Sequence, residues 1–219
     1  MKKLIPALTA ILLTLYISAR GQTEQNEVGI VFKDLNDFGL TFKTGTPNAL
    51  NRFTAVILSG YNDSHDADSE NYKENEIGFG IKVGREWRKR ITKTFEFRVG
   101  LDISYNYSKY KYETDYKSAA LGYDKVVEEG SDYTPGINLV LGFNYVFAKV
   151  IVLGFEAMPF ISYSTGSSSV EEYYGLQNWV ASSNNNSGFS YGLSSSSLVL
   201  SVSYRFETKK HSADQPDKP

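Results

Sequence analysis

The sequence predicts an all-β fold: an eight-stranded antiparallel up-and-down transmembrane β-barrel. Three observations lead there. Residues alternate strictly over long stretches, the bulky residues gather on one face, and long and short connections fall at opposite ends of the strands. The stretch TFEFRVGLDISYNYSKYKY, residues 94–112, shows the first. Phe95, Phe97, Val99, Leu101, Ile103, Tyr105 and Tyr107 take every second place, and Glu96, Arg98, Gly100, Asp102, Ser104 and Asn106 fall between them. That is the period of a β-strand.

Composition agrees. The chain of 219 residues has 16 Tyr, 13 Phe and 18 Gly, a mix that favours strands and turns over helices. Its net charge of −2 argues against a nucleic-acid partner.

The opening MKKLIPALTAILLTLYISARG reads as a secretory signal peptide over residues 1–21, with a basic head, an apolar stretch and small residues at the cleavage site. A membrane anchor is the alternative, but the apolar run is shorter than the roughly 20 residues a spanning helix needs. Cleavage after Gly21 would remove Lys2, Lys3 and Arg20, leaving a more acidic mature chain. No cysteine is present, so an exported chain would carry neither disulfide nor lipidated cysteine. The expected organisation is a signal peptide at 1–21, a barrel at 22–206 and a disordered periplasmic tail at 207–219.

The expected strands, in order, are residues 27–34, 37–45, 52–61, 75–88, 94–107, 136–147, 150–163 and 196–206. Only KRITK separates the fourth from the fifth, and two residues separate the sixth from the seventh. NDSHDADSENYKE follows the third strand, about 28 residues follow the fifth and about 32 follow the seventh. Short turns therefore collect at one end and long loops at the other, as in outer-membrane barrels. The first hairpin, at Leu35–Asn36, departs from this trend.

The alternation also orients the faces. Ile77, Phe79, Ile81, Val83 and Trp87 alternate with Gly78, Gly80, Lys82, Gly84, Glu86 and Arg88. Ile137, Leu139, Leu141, Phe143, Tyr145 and Phe147 repeat the pattern, as do Leu198, Leu200, Val202, Tyr204 and Phe206. The second face is mostly Gly, Ser, Asn and charge. A soluble lipocalin-like barrel would have to show that face to water, whereas a membrane barrel turns the bulky face to lipid and fills its narrow interior with the rest. Residues 95–107 cover about 40 Å along the strand, or roughly 29 Å of height at a tilt near 45°, close to the apolar band of such barrels. Trp87, Phe95, Phe147, Tyr204 and Phe206 at one end, and Tyr61, Phe79, Tyr105, Tyr107 and Tyr163 at the other, suit interfacial girdles. Arg85 falls on the lipid face and should snorkel to the interface. Pro159 should mark a bulge or the strand's emergence from the membrane.

The same phase places Lys33, Lys43, Arg52, Lys82, Glu86, Arg88, Glu96, Arg98, Asp102, Glu156 and Arg205 in the lumen. Charges in so narrow a space should pair. Direct cross-strand pairing of Lys82 with Asp102, Glu86 with Arg98 and Arg88 with Glu96 is the expected register, with a turn centred on Thr92. It avoids opposing Glu86 and Glu96. A salt-bridged plug is the favoured role for this cluster; an ion path or gate is the alternative.

Chemistry-bearing patterns are sparse. His65, near Ser64 and Asp66, would be the sole loop base for a lipid hydrolase, and no third group is in evidence to orient it. Asp63, Asp66, Asp68 and Glu70 form a weak Ca²⁺ candidate without the EF-hand pattern; a solvated acidic loop is the simpler reading. No nucleotide-binding glycine motif or zinc cluster occurs, and no cofactor is expected. The last long loop carries Tyr173, Tyr174 and Trp179 among Ser and Asn, suiting either a surface-binding loop or a merely solvated one.

With its signal peptide, its FGLTFKTG strand and its closing LSVSYRF, the chain resembles the small outer-membrane β-barrel domain family of Gram-negative bacteria, the OmpX/OmpA-like, porin-family barrels, over about residues 27–206. The resemblance implies an outer-membrane location, lipid and the barrel-assembly machinery as partners, and an assembly signal carried by Tyr204 and Phe206. It implies no catalytic residue. Thirteen residues follow Phe206, where many members end. The expected role is structural or in surface interaction. A narrow porin-like channel is the alternative, and a lipid-modifying enzyme comes third.

Overall fold

The computed structural model describes residues 24–33, 37–66, 70–116, 124–174, 177–194 and 197–208. The signal peptide at 1–21 and most of the tail at 207–219 lie outside them. Ten strands form: β1 (Glu24–Lys33), β2 (Asp37–Thr46), β3 (Ala49–Asp66), β4 (Glu70–Arg90), β5 (Phe95–Tyr116), β6 (Lys125–Phe147), β7 (Ile151–Ala157), β8 (Phe160–Tyr174), β9 (Gln177–Gly192) and β10 (Leu198–Thr208).

Each of β1 to β6 pairs antiparallel with its successor, β7 also pairs with β10, and β10 returns to β1. This closed ring of eight strands is the predicted barrel. The extra two strands arise because the seventh and eighth crossings are each interrupted. Pro159 has no N–H to donate, and the strand breaks at Met158–Pro159. The Pro159 carbonyl still accepts from the Leu139 amide at 2.9 Å, and the Met158 amide donates to the Ser197 carbonyl at 2.8 Å. The second break, between β9 and β10, therefore lies beside the first.

The short-turn end needs little chain. Between β6 and β7, Ala148 and Lys149 take φ of 48° and 66°. Two successive positive values turn the strand in the sense its twist requires. Between β4 and β5, the Ile91 and Thr92 amides both donate to the Phe95 carbonyl, and Thr92 Oγ1 accepts from the Phe95 amide.

The long connections are not loops. Much of 62–74, 108–135 and 164–195 is ladder. β3, β4, β5, β6, β8 and β9 run on past the barrel as a six-stranded sheet. Both ladders of β5 pass Ser108 and Lys109 with constant register. Register shifts occur instead between Leu58 and Tyr61 and between Val170 and Glu171. The strict burial alternation of β5 stops at Tyr105, where the barrel opens. Beyond it both faces meet water, so the aromatic parity is free to change to Tyr110 and Tyr112. At the other end β10 continues to Thr208, opposite Glu24, so Glu207 and Thr208 belong to the barrel rather than the tail.

Candidate functional site: the lumen and the projecting sheet

Every predicted apolar face looks outward. Leu40, Ile77, Ile137, Phe147 and Leu200 are more than half exposed, while their strand neighbours Thr41, Gly78, Asn138, Val146 and Ser201 are buried. Trp87, Tyr204 and Phe206 face outward near the short-turn end. Near the other end, Phe79, Tyr107 and Tyr133 stand opposite one another on three successive strands, with ring centroids 5.6 and 5.1 Å apart. Arg85 sits on this outer face, opposite Asn51 and Leu101.

An apolar belt between aromatic rows, around a charged interior, leaves one solvent for the outer surface. This is a membrane-spanning β-barrel. The chain thus has the architecture of the small outer-membrane barrels. No protein-family model matches the sequence, and no curated protein matches it. Among solved structures, it is similar to a major outer membrane protein from Thermus thermophilus, at 10% identity, 84% of this chain, 99% of that one and a TM-score of 0.45. It is also similar to Ail, the attachment invasion locus protein of Yersinia pestis, at 11% identity, 85% and 100% coverage and a TM-score of 0.33. The barrel assignment rests on the closed ring and its polarity.

The lumen holds ten buried charged residues among those described: Lys43, Arg52, Arg88, Arg98 and Arg205 against Glu27, Glu86, Glu96, Asp102 and Glu156. Five cations meet five carboxylates. Glu86 is the hub, at 3.0 Å from Lys43 Nζ, 3.1 Å from Arg52 Nη1 and 3.5 Å from Arg98 Nη1, and it also pairs with Arg88. Glu156 takes Arg52 at 2.7 Å and Arg98 at 2.8 Å. Arg88 donates through both terminal nitrogens to Glu27, each at 2.6 Å. Arg205 donates to Glu96 at 2.9 and 2.7 Å and to Glu27 at 2.7 Å. Asp102 lies 3.3 Å from Arg52 Nε. Such forked guanidinium–carboxylate contacts are the strong, directional kind.

The structure corrects the expected register. Glu86 faces Gly100, Asp102 faces Gly84, Arg88 faces Arg98 and Arg90 faces Glu96, a shift of the whole β4–β5 ladder. Lys82 faces Ser104 rather than Asp102. The physical reason is volume. In so narrow a barrel, partners reach across the lumen, and a large side chain needs a small one beside it on the wall. A Cβ added to Gly84 would run into the Leu101 carbonyl and Asp102, and one added to Gly100 would lie 2.7 Å from the Arg85 carbonyl.

Lys82 is therefore not part of the network: its Nζ lies 3.8 Å from Met158 Sδ. Glu27 was missed, though continuing the inward phase from Lys33 through Val31 and Gly29 reaches it. So was Asn144, whose amide donates to Glu96 at 3.3 Å. Beyond the charges, Val31, Val56, Val140, Met158 and Val199 form a buried apolar cluster. Past that collar, Lys33, Lys82, Ser104, Asn106, Thr134, Asn138, Met158, Phe160, Ser162 and Ser197 line a vestibule of about 180 Å³.

In the projecting sheet, Tyr110 stacks on Tyr112 at 5.1 Å and Tyr112 on Tyr72 at 6.4 Å. Glu113 sits between Lys111 at 2.8 Å and Lys125 at 2.9 Å, and hydrogen bonds from these two ammonium groups hold its carboxyl down at about 2. The predicted binding loop is a strand pair: Tyr173 faces Asn178, Glu172 faces Trp179 and Tyr174 faces Gln177. Tyr173 donates to Glu171 at 2.8 Å. Among the described residues, β9 pairs with β8 alone, so its other edge is open. Of the Ca²⁺ candidates, Asp68 lies outside the described residues, Asp63 and Asp66 fall in β3 and Glu70 opens β4. Among the described residues no cluster of three His, Asp or Glu could hold a metal ion.

Proposed function

We propose that this protein is an outer-membrane barrel whose sealed lumen makes it a rigid, non-conducting anchor for the projecting sheet, and that the sheet is its interaction surface. One observation carries the reading: the lumen is filled by a balanced ion-pair network while six strands continue past it. Arg98, Glu86, Asp102 and Asn144 are fully buried, and the apolar collar lies beyond them. Such filling supports the plug over a narrow channel. In planar bilayers the purified protein is expected to give no steady current; a sizeable, reproducible conductance would replace the anchor with the channel.

The open edge of β9 supports the second half of the proposal. An unpaired strand offers a row of N–H and C=O groups to an extended segment of another chain, so the partner is a peptide docking as an added strand. Phe189 and Tyr191 stand 77% and 83% exposed on that strand and would supply apolar contact. Cells displaying the protein should bind a partner presenting such a segment, and deleting residues 168–190 should abolish binding while the barrel still folds. Undiminished binding after that deletion would refute this surface.

The same reading includes export by a cleaved signal peptide, assembly through Tyr204 and Phe206, and no catalysis. Its support for the last is that the lumen glutamates Glu27, Glu86, Glu96 and Glu156 are held by hydrogen bonds from guanidinium or ammonium groups. Loss of a lipid-modifying activity in His65→Ala would overturn it.

A further inference from the structure

The ten buried lumen charges balance without Lys33 and Lys82. Both lysines line the vestibule beyond the apolar collar, and among the described residues no carboxylate lines it with them. Asp102, one inward-facing position below Ser104 and opposite Asn138 in the β5–β6 ladder, lies beneath the vestibule at 3.3 Å from Arg52 Nε, with neither of its oxygens in a hydrogen bond. The contact found for Lys82 Nζ is a thioether, Met158 Sδ at 3.8 Å, a weak acceptor for an ammonium. Asn138 is 8% exposed, and its Nδ2 is buried without a hydrogen-bond partner although the residue lines the same cavity. A buried donor left unpaired costs free energy, and so does a cation in a confined space with only a weak acceptor.

We propose that this vestibule binds a small oxyanion of the phosphate or sulfate class, held between Lys82 and Lys33. The donor set matches that chemistry. Two ammonium groups supply charge, and the Asn138 amide with the hydroxyls of Ser104, Thr134, Ser162 and Ser197 supplies several converging hydrogen bonds. A tetrahedral oxyanion has the lone pairs to use them, whereas a halide would use fewer. The volume of about 180 Å³ holds such an ion with some water. Beneath it Met158 and the valine collar bar passage to the network, so the site binds the ion without conducting it.

The test is an amide NMR titration of the full chain in detergent micelles with inorganic phosphate, exchanged for chloride at constant ionic strength. Saturable shifts are expected at Ser104, Thr134 and Asn138. Lys82→Met should weaken binding about tenfold or more, the loss expected for one charge-assisted contact. Lys109→Met, on the projecting sheet, should leave it unchanged. Heat-modifiable gel mobility shows whether Lys82→Met folds; if it does not, Lys33→Met, at the mouth, takes its place with the same expectation. The backbone register sets Asp37 opposite Lys33, and Asp37→Asn should bind at least as tightly as the parent. Shifts that fail to saturate, equal binding by the folded lysine variant, or weaker binding by Asp37→Asn would overturn the site.

Discussion

Arg88 and Arg98 stand directly opposite each other in the β4–β5 ladder. Two like charges in that position repel. Here they are tolerated because each finds its carboxylates elsewhere: Arg88 on Glu27 of β1, and Arg98 on Glu156 of β7. Glu86, next to Arg88 on the inner face of β4, touches both guanidinium groups. The wall pairs like with like, and the lumen resolves it across the barrel.

Glu86 should accordingly be the most sensitive position in the lumen. Glu86→Gln leaves Lys43, Arg52, Arg88 and Arg98 sharing one fewer negative charge. Removing one member of a buried pair costs about 3–5 kcal/mol. The expected outcome is a lower urea midpoint for unfolding from lipid vesicles. The double variant Arg98→Met with Glu156→Leu removes one charge of each sign and should be milder.

The β4–β5 register can be tested by cross-linking, since the chain has no native cysteine. Ile81 faces Tyr105 on the outer surface. The pair Ile81→Cys with Tyr105→Cys should form a disulfide on oxidation. Ile81→Cys with Ile103→Cys, neighbours in the register expected from charge pairing alone, should not, because its Cα separation falls outside the bridging range.

Glycine packing on the wall makes a sharp contrast. Gly84→Ala sets a methyl against the Leu101 carbonyl and Asp102. Overpacking of this kind costs about 1–3 kcal/mol and should lower the temperature at which gel mobility shifts. Gly188→Ala, with nothing within 4 Å of the added carbon, should leave it unchanged.

Glu113 lies beyond the barrel mouth, and its pH behaviour follows from Lys111 and Lys125. Its carboxyl is lowered from the usual 4.5 to about 2. A depressed acid contributes stability above its unfolded value, and that contribution is lost as pH falls from about 4.5 to 2. The site is partly exposed, so the contribution stays within about 1 kcal/mol. A carboxyl NMR titration should find its midpoint near 2, and Lys125→Met should move that midpoint upward.

Much of the barrel was legible in the sequence because alternation is a local signal. From Phe95 to Tyr107 the side chains follow a period of two, and bulk on one face against glycine and charge on the other orients the strand in any barrel that spans lipid. Pro159 announced the strand break because a missing N–H is also local. The candidate site was legible as membership: nine of the eleven charges placed in the lumen, all but Lys33 and Lys82, lie in the buried network. The projecting sheet was not legible. Its Ser, Asn and acidic residues look like loop composition, and they form ladders because a neighbouring strand continues beside them.

The sequence by itself determined the face of each strand and the residues that enter the lumen, since both depend on chain parity. Only the tertiary structure decided which charge meets which. Eight strands closed into a narrow ring bring Arg88 to Glu27 and Arg52 to Glu156, residues 61 and 104 positions apart. Those contacts depend on how large side chains from opposite walls share one small volume, a constraint that belongs to the closed ring rather than to any single strand.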